Sequence, residues 1–297
     1  MTATAANTAV RPRVGTASRP TGRGVAVLPM IVLIAGAIYC LIPIAWVVVA
    51  STKSPAELFS TFTFAPGTGF FANLEKLFTI NDGVFWMWLG NTTLYSLVGT
   101  VCCVLISALA GYALAKFEFP GRNTMFAVLL GGVLMPGIAL AIPQYFVTAA
   151  MGLTNTYLAV LLPLMISPFS IFLCRVYAQA VVSSDLLEAA RIDGASEVRI
   201  FRGIALPIML PGLVTVFLLH FISTWNNFLL PYLMLSDEQL YPVTLGLYTF
   251  MSQGDGKELL YTVAIIGALV SLLPLVVLVL VMQRFWKLDL ISGGLKG

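Results

Sequence analysis

The sequence predicts an all-α protein, a polytopic membrane bundle of six transmembrane helices. Of its 297 residues, 59% are hydrophobic and 10% are charged, and the mean hydropathy is +0.95. Soluble domains carry about 25% charged residues. The charged residues leave five uncharged runs, at residues 24–52, 83–115, 123–174, 203–236 and 259–283. Each run exceeds the roughly 20 apolar residues that a helix needs to cross a bilayer.

The five runs divide into six predicted spans. The run 123–174 is long enough for two spans, and the small polar residues at 152–156 predict a turn between them. The first run is longer than the apolar segment of a signal peptide, which has about 7–15 residues, so we expect a retained span. The predicted spans cover residues 25–50, 84–115, 124–150, 156–176, 206–234 and 259–283.

The predicted organisation is a tail followed by one membrane domain. Residues 1–22 are typical of a disordered cytoplasmic tail, and residues 23–297 are expected to form the transmembrane domain. Lys and Arg accumulate on the cytoplasmic side of membrane proteins. With the amino terminus inside, 13 of these residues fall on cytoplasmic segments and three on outer segments. Both termini and the loop 181–205 are therefore expected in the cytoplasm.

The uncharged spans argue against ion-coupled transport and against hydrolysis. Proton- and sodium-coupled carriers usually keep ionisable side chains in the membrane. The one candidate here is His220, three residues before Ser223, so a helix brings the two close together. A hydrolase would also need an orienting Asp, and neither that residue nor a G-x-S-x-G sequence accompanies them. A packed or hydrogen-bonded neutral histidine is the favoured interpretation.

No metal site, cofactor or enzymatic activity is predicted for this chain. The four cysteines, Cys40, Cys102, Cys103 and Cys174, lie in spans without metal-ligand spacing. The sequence contains no G-x-x-x-x-G-K-[ST] loop for binding ATP. Energy for uphill transport must then come from another subunit. The net charge of +3 follows from membrane topology and does not indicate nucleic-acid binding.

A polar run separates the fourth and fifth spans. Within the polar run 183–196 we expect a short amphipathic helix, with Asp185 as its capping residue and Glu188 three positions later. Gly194 is placed to end this helix in a left-handed conformation. Ser196 is expected to cap a second short helix that leads to the fifth span. The alanines of the first helix offer little apolar depth to lipid but allow another protein surface to approach closely.

The same run carries a spaced motif. Its members are Glu188-Ala189-Ala190, Gly194 after three residues, Ile204 after nine more, and Leu206-Pro207 after one. This pattern resembles the EAA motif of ABC importer permeases. In that family the loop forms a coupling helix that docks into a groove on a cytoplasmic ATPase. The resemblance implies a docking element made of Glu188, Ala189, Ala190, Asp193 and Gly194.

Further segments resemble the maltose-type carbohydrate permeases of that family. They are residues 111–116 with 119–122, residues 152–156 and 191–196, and Trp225-Asn226-Asn227-Phe228-Leu229. The resemblance implies the type I ABC importer permease fold in the bacterial cytoplasmic (inner) membrane, with lipid around it. It also implies a heterodimer with a second permease, two ATP-binding cassette subunits that bind the ATP, and an extracytoplasmic sugar-binding protein.

Uncharged polar residues within the spans mark a possible path for the solute. A neutral sugar needs amide, hydroxyl and aromatic groups without charge. Gln144 and Tyr145 in the third span, and Trp225, Asn226 and Asn227 in the fifth, could supply them. Amides in a span are costly unless they have partners, so hydrogen bonds between helices are the commoner explanation.

These features together predict a permease subunit that imports a di- or oligosaccharide by alternating access, driven by a separate ATPase. Two alternatives stay open. One is an ABC permease for another solute class, and the other is an ion-coupled secondary transporter.

Overall fold

The structure is a computed structural model that describes residues 27–252 and 258–294, without the side chains of residues 284 and 286–294. The predicted tail, residues 1–22, lies outside the described residues. Within them the chain forms helices and turns, and no strand. The helices are α1 (Val27–Ser51), α2 (Pro55–Ser60), α3 (Phe70–Thr79), α4 (Val84–Lys116), α5 (Arg122–Leu134), α6 (Gly137–Ala150), α7 (Tyr157–Leu164), α8 (Pro168–Val181), α9 (Ser184–Ile192), α10 (Glu197–Ile200), α11 (Leu206–Trp225), α12 (Leu229–Met234), α13 (Val243–Met251) and α14 (Glu258–Gly294).

The predicted all-α membrane bundle is confirmed. Five helical segments in the described ranges are long and apolar enough to cross a membrane. A sixth candidate is the pair α5 and α6, which meet at an angle of 106°. The side of the membrane on which the termini lie stays a prediction.

By its internal contacts the chain divides into two compact units, residues 1–45 and 46–297. The described part of the first unit is the beginning of α1, whose side chains are exposed. The second unit contains the remaining helices and the three hydrophobic clusters of buried residues. The prediction of one transmembrane domain over residues 23–297 stays a prediction.

Proline breaks two of the predicted spans. The third, predicted at residues 124–150, divides into α5 and α6, where Met135 leaves the helical conformation with ψ 129°. Pro136 follows it, and a proline disfavours the helical conformation in the residue before it. The fourth span likewise divides into α7 and α8, where Pro168 is the first helical residue after the break.

The fifth span ends earlier than predicted. It was expected to reach residue 234, but α11 ends at Trp225 and α12 begins at Leu229. The carbonyl of Asn227 precedes Phe228, the cap residue of α12, and therefore has no partner within that helix. The hydroxyl of Thr244 on α13 donates to that carbonyl instead, at 2.7 Å.

Helix α4 connects two separate hydrophobic clusters of the second unit. Near its carboxyl end, Tyr112 packs with Leu187 and Ile200 from the loop between α8 and α11. Near its amino end, Phe85 and Trp88 pack with residues of α13 and α14. The loop 182–205 therefore lies at the opposite end of α4 from α13, as their predicted assignment to opposite membrane faces requires.

Helices α4 and α8 pack closely against each other. A Cβ atom added at Gly111 would lie 2.6 Å from the Cβ of Cys174, which is closer than two carbon atoms can approach. Small residues allow this kind of close approach between membrane helices. The two helices are therefore held at a separation that no larger residue at position 111 permits.

Candidate functional site

Helix α9 has one buried face and one exposed face. Leu187 is 1% exposed and Ala190 is buried beside it, three residues apart and therefore on one side of the helix. The opposite side presents Glu188, Ala189 and Ile192, and Ile192 is 86% exposed. Of the predicted docking residues, Ala190 thus faces the bundle, whereas Glu188, Ala189, Asp193 and Gly194 are exposed.

The start of α9 differs from the prediction. Ser183, in an extended conformation, precedes the first helical residue, so Asp185 lies within the first turn and is not the cap. Its carboxylate still lies near the amino-terminal end of the helix dipole, where a negative charge is favourable. Ser196 does occupy the residue before α10, as expected, but its side chain makes no capping hydrogen bond.

The turn after α9 is confirmed in its predicted conformation. Gly194 has φ 78°, a left-handed value that side chains other than glycine rarely adopt. The Gly194 N–H donates to the Arg191 carbonyl and the Ala195 N–H donates to the Ala190 carbonyl, both at 3.0 Å. This pair of bonds is the Schellman arrangement for ending a helix. A Cβ at Gly194 would meet no atom within 4 Å, so the turn is open to a partner.

An ion pair joins the two short helices across this turn. The Arg191 Nε donates to the Glu197 Oε1 at 2.7 Å, and the Nη2 donates to Oε2 at 3.4 Å. The hydrogen bond to Glu197 raises the pKa of Arg191 above its ordinary value. Both side chains are well exposed, so the pair orients the turn but adds little stability.

The buried face of α9 is attached to three membrane helices at once. Leu187 belongs to a cluster that includes Tyr112 of α4, Cys174 of α8 and Met209 of α11. The segment from α10 to α11 continues without a break through a π-helical turn at Phe201–Ala205. A force applied to the exposed face of α9 therefore acts on α4, α8 and α11 together.

At the helix breaks, three of the predicted polar residues line one cavity of about 390 Å³. Gln144 reaches it from α6, and Asn226 and Asn227 reach it from the break after α11. Ser223 lines it one turn earlier. None of the described side chains that line this cavity is charged. We name it the amide cavity.

Trp225 and Tyr145 do not join the amide cavity. Trp225 is 4% exposed, and its indole N–H donates to the Ser271 carbonyl on α14 at 3.2 Å. Tyr145 instead packs edge-on against Phe146, with ring centroids 5.9 Å apart. Trp225 therefore has a structural role, a hydrogen bond that joins α11 to α14.

His220 lies close to the amide cavity and makes a structural contact. Its Nε2 lies 2.9 Å from the carbonyl oxygen of Leu164. In a continuous helix that carbonyl would accept a hydrogen bond from the N–H of residue 168, which here is a proline. Because proline has no N–H, that carbonyl needs another donor. The Nε2–H of a neutral His220 supplies it, which agrees with the interpretation of a hydrogen-bonded histidine.

The predicted docking residues do not include the exposed apolar side chains around the turn. Leu186 is 43% exposed, Ile192 86% and Val198 62%. The spacing of Leu187 and Ala190 contained the signal, since it assigns Leu186 and Ile192 to other faces of the same helix. Three large apolar side chains around one turn are suited to contact with another protein.

The comparisons with known proteins agree with these features. Residues 103–287 match the family described as "Binding-protein-dependent transport system inner membrane component". The arabinooligosaccharides transport system permease protein AraQ of Halalkalibacterium halodurans is 34% identical, over 86% of this chain and 91% of the relative. The sn-glycerol-3-phosphate transport system permease protein UgpE of Salmonella typhi is 32% identical, over 91% and 98%.

A solved structure has the same fold. A chain of a bacterial ABC transporter involved in the import of the acidic polysaccharide alginate superposes with a TM-score of 0.74. The match covers 89% of this chain and 98% of that chain, at 24% identity. The chain therefore belongs to the binding-protein-dependent transport system inner membrane component family, as a multi-pass permease subunit of an ABC importer that works with a separate ATPase and a binding protein.

Proposed function

We propose that this chain carries a neutral di- or oligosaccharide across the membrane. The observation that supports this most directly is the amide cavity, where Gln144, Asn226 and Asn227 meet without a charged side chain among the described lining residues. Amides donate and accept hydrogen bonds, as sugar hydroxyls require. A phosphate ester or an acidic sugar would favour a lining with Lys or Arg. The 34% identical arabinooligosaccharide permease supports the same solute class.

The proposed driving step is the docking of an ATPase on α9. The contact would involve Glu188, Ala189, Ile192 and the open turn at Gly194, all exposed. When the ATPases close on ATP, the shift of α9 would pass through Leu187 into the cluster shared with α4, α8 and α11. That movement would open the amide cavity alternately to the two sides of the membrane. This chain contributes no bond chemistry.

The proposed assembly is a heterodimer with a second permease, two ATPase subunits and an extracytoplasmic sugar-binding protein. The EAA-like motif occurs once in the sequence, so one copy of this chain offers one docking helix. A pair of ATPases would then need a second permease subunit. In the proposed orientation α9 and both termini face the cytoplasm, since most of the Lys and Arg residues lie on that side.

Uptake by the whole complex, reconstituted in lipid vesicles with its binding protein, tests the proposal. Arabinotriose, maltotriose and sn-glycerol 3-phosphate would be offered in parallel, with and without ATP inside the vesicles. We expect ATP-dependent uptake of at least one neutral sugar and none of the phosphate ester. Uptake of the phosphate ester alone would contradict the solute class, and uptake without ATP that an uncoupler abolishes would contradict the ABC mechanism.

A further inference from the structure

Three aromatic rings stand together next to the amide cavity. Phe228 follows α11, Tyr232 lies on α12 and Tyr248 lies on α13. The ring centroids are 5.4 Å apart for Phe228 and Tyr232, 4.9 Å for Phe228 and Tyr248, and 5.9 Å for the two tyrosines. Tyr232 is 50% exposed and Tyr248 is 43% exposed. We name these three residues the aromatic corner.

A second cavity, of about 460 Å³, lies on the other side of the same break. Phe228 and Tyr248 of the aromatic corner line it, together with Asn226 and Thr244. Asn226 and Phe228 also line the amide cavity, so these two residues form a wall that the two cavities share. No charged side chain is among the described residues of the second lining.

The polar groups at this wall are held in place by the chain itself. The Asn226 Nδ2 donates to the Ile222 carbonyl at 2.8 Å, which fixes the amide plane. The Thr244 hydroxyl donates to the Asn227 carbonyl and ties α13 to the break. The Asn226 Oδ1 and the hydroxyls of Tyr232 and Tyr248 have no hydrogen-bond partner within the described residues. They are therefore available to a ligand without any rearrangement.

We propose that the aromatic corner and Asn226 form a binding subsite for one sugar ring of the transported carbohydrate, at the point where it passes between the two cavities. One face of a sugar ring is made of C–H groups and can pack on an aromatic ring, while hydroxyls at its edge bond to an amide and to tyrosine hydroxyls. This inference rests on the proposed function. It adds the residues that select a ring-shaped neutral solute.

The test compares three variants in the reconstituted complex. Tyr248→Leu keeps an apolar side chain and removes the ring, whereas Tyr248→Phe keeps the ring. Phe146→Ala removes an exposed ring on α6 that lines neither cavity. The sugar is whichever of arabinotriose and maltotriose the wild type takes up. We expect KM for uptake to rise about five- to tenfold in Tyr248→Leu, to rise by a smaller factor in Tyr248→Phe, which loses only the hydroxyl, and to change less than twofold in Phe146→Ala.

Two further measurements decide the outcome together with KM. Co-purification of the second permease and the ATPases, and sugar-independent ATPase activity, should be unchanged in Tyr248→Leu. Normal KM in Tyr248→Leu would overturn the subsite while the proposed function stands. Loss of the second permease from the Tyr248→Leu complex would identify the aromatic corner as a subunit interface and would also overturn the subsite. If the wild type takes up neither sugar, the proposed function itself fails.

Discussion

Two regions of this permease are held together by different interactions: the proposed coupling end, around α9 and α10, and the proposed solute end, around the amide cavity. At the coupling end, apolar side chains such as Leu187 and Ile200 fix α9 and α10 to the bundle, and the turn at Gly194 closes through local backbone hydrogen bonds. At the solute end, helices stop at prolines, and side chains from other helices, His220 and Thr244, bond to the carbonyls left free. The first arrangement is suited to the rigid transmission of movement that we propose, whereas the second leaves polar groups beside a cavity.

The comparison predicts the largest effect at the turn of the coupling end. Gly194→Asp places a side chain and a charge on the open docking face and adds about 1–2 kcal/mol of strain at a left-handed φ. We expect ATP-driven uptake to be abolished. Gly152→Asp is the matched control, because Gly152 has φ 69° and is equally open, but lies between α6 and α7. Normal uptake by Gly194→Asp, or equal loss in both variants, would refute a docking role.

The two faces of α9 should respond differently to truncation. Leu187→Ala empties a buried position and should lower the free energy of unfolding by about 2–5 kcal/mol. Ile192→Ala removes an exposed side chain, so stability should change by less than about 0.5 kcal/mol. The affinity for the ATPase should nevertheless fall about tenfold in Ile192→Ala. Thermal unfolding would measure the stability of the two variants, and titration with the ATPase would measure their affinity for it. Unchanged ATPase affinity in Ile192→Ala would exclude Ile192 from the interface.

At the solute end, His220→Leu should destabilise the protein by about 1–3 kcal/mol, because the carbonyl of the buried residue Leu164 loses its donor. His220→Gln places an amide N–H near the position of Nε2 and should restore most of that loss. Thermal unfolding of the purified complex measures the difference. Equal stability of the two variants would mean that the hydrogen bond has no energetic role.

The smallest effect is expected for the ion pair across the turn. A double-mutant cycle of Arg191→Ala and Glu197→Ala should give a coupling energy of about 0.2–1 kcal/mol, since both side chains are exposed. Repeating the cycle in 1 M salt should bring the coupling close to zero. A coupling above about 2 kcal/mol that resists salt would show that the pair is buried in the assembled complex.

The sequence predicted the coupling end in more detail than the solute end. Gly194 could be assigned its left-handed turn because the signal is local: a helix pattern ends and a glycine follows. Which side of α9 is buried was also encoded in the spacing of Leu187 and Ala190. The cap was misplaced, because both Ser183 and Asp185 are residues that begin helices, and hydropathy does not distinguish them.

At the solute end the decisive information is not local. Gln144, Asn226 and Asn227 were recognised as uncharged polar residues in spans, but their meeting in one cavity depends on the bends at Pro136 and after Trp225. The aromatic corner was not predicted at all, since Phe228, Tyr232 and Tyr248 come from three separate segments. Hydrophobic runs give the number of spans, but they do not reveal where a span stops.

The carbonyl of Leu164, which Pro168 leaves without a partner, also bears on how this chain can evolve. It links a proline at the start of one helix to a side chain on another, His220. A residue with an N–H at position 168 could bond to that carbonyl, so the cost of losing His220 should fall when the proline is replaced, and we expect the two positions to be epistatic. A scan of single substitutions would score His220 as sensitive, whereas a library that varies Pro168 together with His220 would recover tolerant combinations.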